Sequence, residues 1–156
     1  MRERTLEWIY GQCIVGGAFI PLDKVDQHKI KTMLDLALSD FWAVKEILRH
    51  TAKDSGGWNI IYKLYYDIIH SLVEAFVRFD KVKVKTHECL FAYLCQKHPE
   101  LELNLDFFEK IRTKRNGSVY YGQPATLNDW KAIEVQMNLY IDLFKKRIEE
   151  KLKEEL

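Results

Sequence analysis

Trp58-Asn59-Ile60-Ile61-Tyr62-Lys63-Leu64-Tyr65-Tyr66-Asp67-Ile68-Ile69-His70-Ser71-Leu72-Val73-Glu74-Ala75-Phe76-Val77-Arg78-Phe79 is the stretch whose reading decides the fold. Ile61, Leu64, Ile68, Leu72, Ala75, Phe76 and Phe79 recur at threes and fours, the period of an α-helix. Ile60, Tyr65 and Ile69 widen that stripe, so the pattern predicts a helix over about 58–79 that is buried on more than one side. A helix buried that way needs other helices around it, and the flanking sequence supplies them.

Upstream, Ile30, Leu34, Ala37, Phe41, Val44 and Leu48 carry the same period over Lys24 to Thr51, with Asp23 placed to cap and Asp26 in the first turn. Asp54-Ser55-Gly56-Gly57 stops that helix. Residues 4–12 form a short helix, broken at Gly16-Gly17, and Ala18 to Leu22 is extended. Downstream, Asp80-Lys81-Val82-Lys83-Val84-Lys85 alternates with period two. With no partner strand in view it reads as a connecting loop. Thr86 caps a helix that runs to Lys97, and Pro99 closes it. A helix begins at Asn104 or Leu105, with Leu105, Phe108 and Ile111 on its core side, and ends at Arg115-Asn116. Thr126-Leu127-Asn128-Asp129 has the form of a capping box. The last helix carries Trp130, Ile133, Met137, Tyr140, Ile141, Phe144, Ile148 and Leu152 on one face, and from Lys145 it reads as a solvated extension. The fold class is all-α, an up-and-down bundle of four to five helices. The chain, 1–156, is one domain with an N-terminal extension at 1–22 and a charged helix end at 145–156.

Composition agrees with a folded domain: 47% hydrophobic and 30% charged residues, with seven glycines and three prolines. A net charge of +1 excludes a chain-wide electrostatic footprint, so any anionic partner must meet a local patch. Cys13, Cys89 and Cys95 form no C-x-x-C pair and read as free buried thiols in a reducing compartment. The apolar run Cys13 to Ile20 is too short to span a bilayer and ends at Pro21, so no membrane association is expected and the localisation reads as cytoplasmic. His28, His50 and His98 have no ligand spacing. No Walker or dinucleotide glycine loop is present. Neither a metal nor a cofactor is expected.

The candidate site is Lys110-Ile111-Arg112-Thr113-Lys114-Arg115-Asn116-Gly117-Ser118-Val119-Tyr120-Tyr121-Gly122. Four basic residues fall within six positions, followed by polar Asn116 and Ser118 and a tyrosine pair. Lys110, Arg112, Lys114, Arg115, Asn116 and Ser118 are candidates to hold phosphate, Arg115 best of all, because a guanidinium presents a planar fork to phosphate oxygens. The ordinary alternative is a solvated helix face that complements the helix dipole. Tyr120 and Tyr121 have packing or interface contact as theirs. His70 follows Tyr66 by one turn on a mostly apolar helix and reads as a satisfied interior histidine or, if it faces the same cleft, a supporting group. His87 reads as a first-turn helix residue.

Two patterns carry a resemblance. Tyr65-Tyr66 through Ala75, a turn, and then Lys85-Thr86-His87 resembles the HEPN family (higher-eukaryote and prokaryote nucleotide-binding domains). Arg115-Asn116-Gly117-Ser118-Val119-Tyr120 is similar to that family's Arg-Asn-x-x-x-His motif, with Tyr120 where the histidine stands. The likeness covers roughly residues 25–150. It implies a four- to five-helix bundle, usually a homodimer with the motif helices near the dyad. Many members are metal-independent endoribonucleases, often toxins paired with a nucleotidyltransferase antitoxin; others bind nucleotides or only mediate assembly. It also implies Arg115 and Tyr120 as the catalytic pair. Metal-free cleavage needs a base for the 2′-hydroxyl and a cation for the phosphorane. Arg115 suits the second role. An ordinary tyrosine, titrating near ~10, is a poor base at neutral pH. On one ideal helix Arg115 and Tyr120 stand about 140° apart; a distorted helix at Gly117 or a dimer axis would bring them together. The expectation is therefore binding of RNA or nucleotide phosphates, with endoribonuclease activity as its extension. The alternative is a non-catalytic dimeric partner of a nucleotidyltransferase.

Overall fold

The computed structural model describes residues 4–154. In chain order it contains α1 (Leu6–Val15), β1 (Phe19–Pro21), α2 (Gln27–His50), α3 (Gly57–Val77), β2 (Val82–Val84), α4 (His87–Lys97), α5 (Leu105–Tyr121) and α6 (Leu127–Glu154). Short 3-10 turns occupy Arg78–Asp80 and Pro99–Leu101. The fold is an all-α helical bundle, and α3 is its axis. Ile61, Tyr65, Ile68, Leu72 and Phe76 are buried on one side of α3, and Tyr62, Tyr66, Ile69, Val73 and Val77 on another. A helix with so wide an apolar arc must be enclosed, and α2, α4, α5 and α6 all pack on it.

Aromatic contacts lock those packings. Tyr65 lies 4.2 Å from Trp130 of α6 and Phe76 lies 5.6 Å from Phe144 of the same helix. Phe91 of α4 stacks on Phe108 of α5 at 4.7 Å, and Phe108 stacks in turn on Tyr140 of α6 at 5.4 Å. These offset and edge contacts are the favoured ring geometries and are worth ~0.5–1.5 kcal/mol each beyond the area they bury. No helix among the described residues is long and apolar enough to cross a membrane.

The caps follow the sequence with one displacement. The Thr86 hydroxyl accepts from Cys89 N at 3.2 Å, and the Asn104 side chain accepts from Asp106 N at 2.9 Å. Thr126 and Asp129 cap α6 reciprocally: Thr126 N donates to the carboxylate at 2.8 Å and Asp129 N donates to the hydroxyl at 3.3 Å. The cap of α2, however, is Asp26 and not Asp23. Asp26 is extended at φ −88° and accepts from Lys29 N at 3.0 Å, so the helix starts three residues later than the first acidic residue suggests.

Four further expectations are corrected. First, Val82–Val84 is a strand and not a loop, pairing antiparallel with Phe19–Pro21 in the register Phe19↔Val84, Ile20↔Lys83, Pro21↔Val82. Its partner lies some sixty residues upstream, beyond the reach of a local pattern, and Val82 is buried while Lys83 is exposed. Second, α5 continues through Gly117 to Tyr121 and ends where Gly122 adopts the left-handed conformation, φ +66°. A single helical glycine costs only about 1 kcal/mol, less than breaking the backbone ladder, so it does not end the helix. Third, Cys13 and Cys89 form a disulfide with a Cα–Cα distance of 5.7 Å, and only Cys95 is a free thiol. The bond ties α1 to the first turn of α4, so residues 4–22 are joined to the bundle by the disulfide and by the β1–β2 ladder. Fourth, α6 does not leave the core at Lys145. Ile148 is fully buried and Leu152 is half-buried against the core, and Lys151 between them lies over the rings of Phe76 and Phe79.

Candidate functional site

The basic residues of α5 do not share one surface. Arg112 is drawn to carboxylates, 2.9 Å from Glu88 and 2.8 Å from Glu109, and Glu88 is also bonded to Arg4 at 2.6 Å. Lys114 meets Asp129 of α6 at 3.1 Å. Lys110 is exposed and lines a groove between α5 and α6 with Asp106, Glu109 and Asp129. Three of the four cations therefore sit among carboxylates that offset their charge.

Arg115 is different. Its guanidinium carbon lies 5.5 Å from the ring centroid of Tyr66, over the negative face of the phenol. Its Nε is buried without a partner, and no carboxylate within ion-pair distance is found among the described residues. One hydrogen bond is present, from Nη1 to Asn116 Oδ1, and at 3.4 Å it is long. One turn along, the Ser118 hydroxyl is likewise buried and unpartnered. A half-buried cation with one N–H buried and unpaired, one turn from an unused buried hydroxyl, is a costly arrangement until an acceptor arrives.

What Arg115 faces is built by two other helices. Tyr66 and His70 are four residues apart on α3 and so lie on one face, one turn above the other. The Thr86 cap starts α4 with His87 in its first position, and the short α3–α4 connection brings that residue back over α3. The rings of His70 and His87 lie 3.8 Å apart, and the Tyr66 hydroxyl lies 2.8 Å from His87 Nδ1. Phe91 closes the inner side edge-on to Tyr66 and His70. His70 is half-buried and makes no hydrogen bond to the described residues, so it is not the satisfied interior histidine expected from its apolar helix.

The electrostatics follow from burial and from Arg115. Burial, then His87 and Arg115, push His70 down to about 3. Burial and Arg115 also lower His87, against the opposing pull of Asp67 and Glu74. Both imidazoles are therefore neutral at pH 7. Burial raises Tyr66 far above the ordinary phenol value despite Arg115 and Arg112, so it stays protonated. The cluster Tyr66, His70, His87 and Arg115 thus holds one positive charge and several unused polar atoms, and among the described residues no carboxylate pairs with Arg115.

Tyr120 and Tyr121 lie at the solvent end of α5, 68% and 77% exposed, together with Val119. Because α5 stays helical past Gly117, Tyr120 and Arg115 project in different directions within one chain. Of the residues singled out in the sequence, the structure brings together Arg115, Asn116, Ser118 and His70. Lys110 and Lys114 line the α5–α6 groove instead, while Arg112 lies near enough to act on Tyr66 and His87, and Arg112, Asn116, Tyr120 and Tyr121 line a separate shallow groove along one face of α5. Tyr66 and His87 are site neighbours that sequence reasoning did not place there. The Tyr66–His70 spacing was a usable signal for the first; nothing local brings His87 to the same point. No family model, no curated protein and no solved structure matches the chain.

Proposed function

We propose that this chain is a HEPN-like domain that binds a phosphate-bearing ligand, RNA or nucleotide, at Arg115. The observation that carries the reading is the isolation of Arg115: Arg112 and Lys114 have carboxylates, whereas Arg115 is half-buried, has no carboxylate partner among the described residues, and stands one turn from Ser118 and near two neutral imidazoles. A guanidinium in that state gains most from an oxyanion, because charge-assisted hydrogen bonds strengthen as water is excluded. Metal-independent endoribonuclease activity of toxin type is the extension of the same reading, with Arg115 stabilising the phosphorane and Tyr120 completing the motif across a homodimer axis. The test is fluorescence anisotropy with a labelled RNA oligonucleotide in EDTA, wild type against Arg115→Ala, followed by gel analysis of the same RNA. Weaker binding by the variant supports the reading. Equal binding by a correctly folded variant rejects it.

The exposed Val119, Tyr120 and Tyr121 favour a second reading, in which the end of α5 is a contact surface for a second copy or for a nucleotidyltransferase partner. Light scattering of wild type and Tyr121→Ser separates the cases: a dimer lost in the variant supports self-association, and a wild-type monomer at tens of micromolar (order of magnitude) rejects it.

A further inference from the structure

The Tyr66 hydroxyl, in a fully buried residue, has His87 Nδ1 as its one hydrogen-bond partner among the described residues. Two arrangements fit that contact. Either the phenol donates to Nδ1 and the single imidazole proton sits on Nε2, or Nδ1 carries the proton and donates to the phenol oxygen. The second would leave the phenol proton buried without an acceptor, the arrangement native interiors avoid. Arg115 lies over the face of the Tyr66 ring and leaves the hydroxyl proton free to turn to His87. His87 Nε2 has no partner among the described residues and is not among the buried unpaired atoms, so it reaches solvent.

We infer that Tyr66 is a positioning residue that locks His87 in its Nε2–H form, so that the site offers a phosphate oxyanion two unlike donors, the imidazole N–H and the Arg115 guanidinium, and no proton acceptor at His87. The inference rests on the reading of Arg115 as the phosphate-binding residue and deepens it: His87 grips a ligand and does not take the 2′-hydroxyl proton. The groups acting on His87 are His70 and Asp67 and Glu74 of α3, with Arg112 and Arg115 of α5. Because burial and Arg115 keep the ring neutral, the grip does not depend on imidazole protonation near pH 7.

The tautomer is read directly from two-bond ¹H–¹⁵N correlation spectra of the ¹⁵N-labelled protein at pH 7, and the ligand by titration with inorganic phosphate, AMP and an oligouridylate. The expected wild-type signal is His87 protonated on Nε2. In Tyr66→Phe, with its fold checked by circular dichroism, His87 becomes a mixture of tautomers and affinity for the ligand falls about three- to tenfold, the cost of one ordinary hydrogen bond. His87→Gln, whose amide N–H reaches the Nε2 position, retains more affinity than His87→Ala. Binding of AMP and oligouridylate alike supports a nucleotide site, and binding of oligouridylate alone supports RNA. Wild-type His87 protonated on Nδ1 overturns the inference, as does an unchanged tautomer in Tyr66→Phe. A correct tautomer with no binding of any of the three probes overturns the proposed function and removes the ligand assigned to His87.

Discussion

Breaking the Cys13–Cys89 bond should cost this protein a measurable share of its stability, and the size can be worked from the chain. The two residues are 76 apart in sequence, so the closed loop takes in the end of α1, all of β1, α2, α3 and β2, and the start of α4. Chain-entropy loss in the unfolded state for a loop of that size is worth about 4.5 kcal/mol at 25 °C as a ceiling, and native disulfides commonly deliver ~2–4. What holds α1 without the bond is a small cluster, Ile9, Cys13 and Ala18 against Ala92, with half-buried Leu6 and Tyr10 at the edge of the main core, the Arg4–Glu88 pair and a three-residue ladder. Those contacts are too few to replace it. With a guanidinium m-value of about 4 kcal/mol/M, the unfolding midpoint of Cys13→Ser should fall by roughly 0.5–1 M relative to the oxidised wild type. Reductant should shift the wild type by a similar amount and leave the variant unmoved. Thiol titration of the unfolded, unreduced protein should find one reactive group, Cys95; the folded protein should show little reaction, since burial raises that thiol to about 12. Three titratable thiols in the unreduced chain, or a midpoint indifferent to reductant, would refute the reasoning.

Arg115→Ala should weaken RNA or nucleotide binding by about 1–3 kcal/mol with little change in melting temperature, whereas Arg112→Ala should chiefly lower stability, by about 1–2 kcal/mol, because it strands Glu109 and leaves Glu88 with Arg4 alone; paired anisotropy and thermal melts check both. Tyr120→Phe should bind within about twofold of wild type, since the residue is 68% exposed and makes no hydrogen bond to the described residues, and should abolish any cleavage seen in EDTA. His98 gives the pH prediction. A hydrogen bond to Asp80 at 2.6 Å, helped by Glu100, raises its pKa against burial, so its stabilisation is complete below the ordinary imidazole value of ~6.5 and is lost as the pH rises through the raised one. His70 and His87, both lowered, act with the opposite sign and cost stability as the pH falls below ~6.5. The His98 contribution is therefore read as the difference between wild type and His98→Gln in urea unfolding, and that difference should shrink from pH 6 to pH 8; a difference that grows across that range would reverse the assignment.

The fold was legible because helices announce themselves locally. The stripe from Ile61 to Phe79, the Thr86 and Thr126 caps and the face from Trp130 to Ile148 are each written within one or two turns, and burial on α3 alone implies surrounding helices. The β1–β2 pair was not legible, because three residues carry no signal without their partner and the partner is distant in the chain. The Cys13–Cys89 bond was hidden for the same reason: spacing says nothing about which thiols meet when α1 folds back on α4.

The site divides along the same line. From sequence, the basic run of α5 is one cluster, since charge is counted along the chain. In space a helix turns about 100° per residue, and Arg112, Lys114 and Arg115 reach different neighbours. The sequence by itself determined that the chain is a helical bundle and that α5 carries guanidinium groups with a following Asn116 and Ser118. Only the tertiary structure decided which guanidinium is left without a carboxylate, and that Tyr66, His70 and His87 surround it. Whether a charge is paired depends on what other helices bring within about 4 Å, a distance that packing sets and that no local pattern encodes.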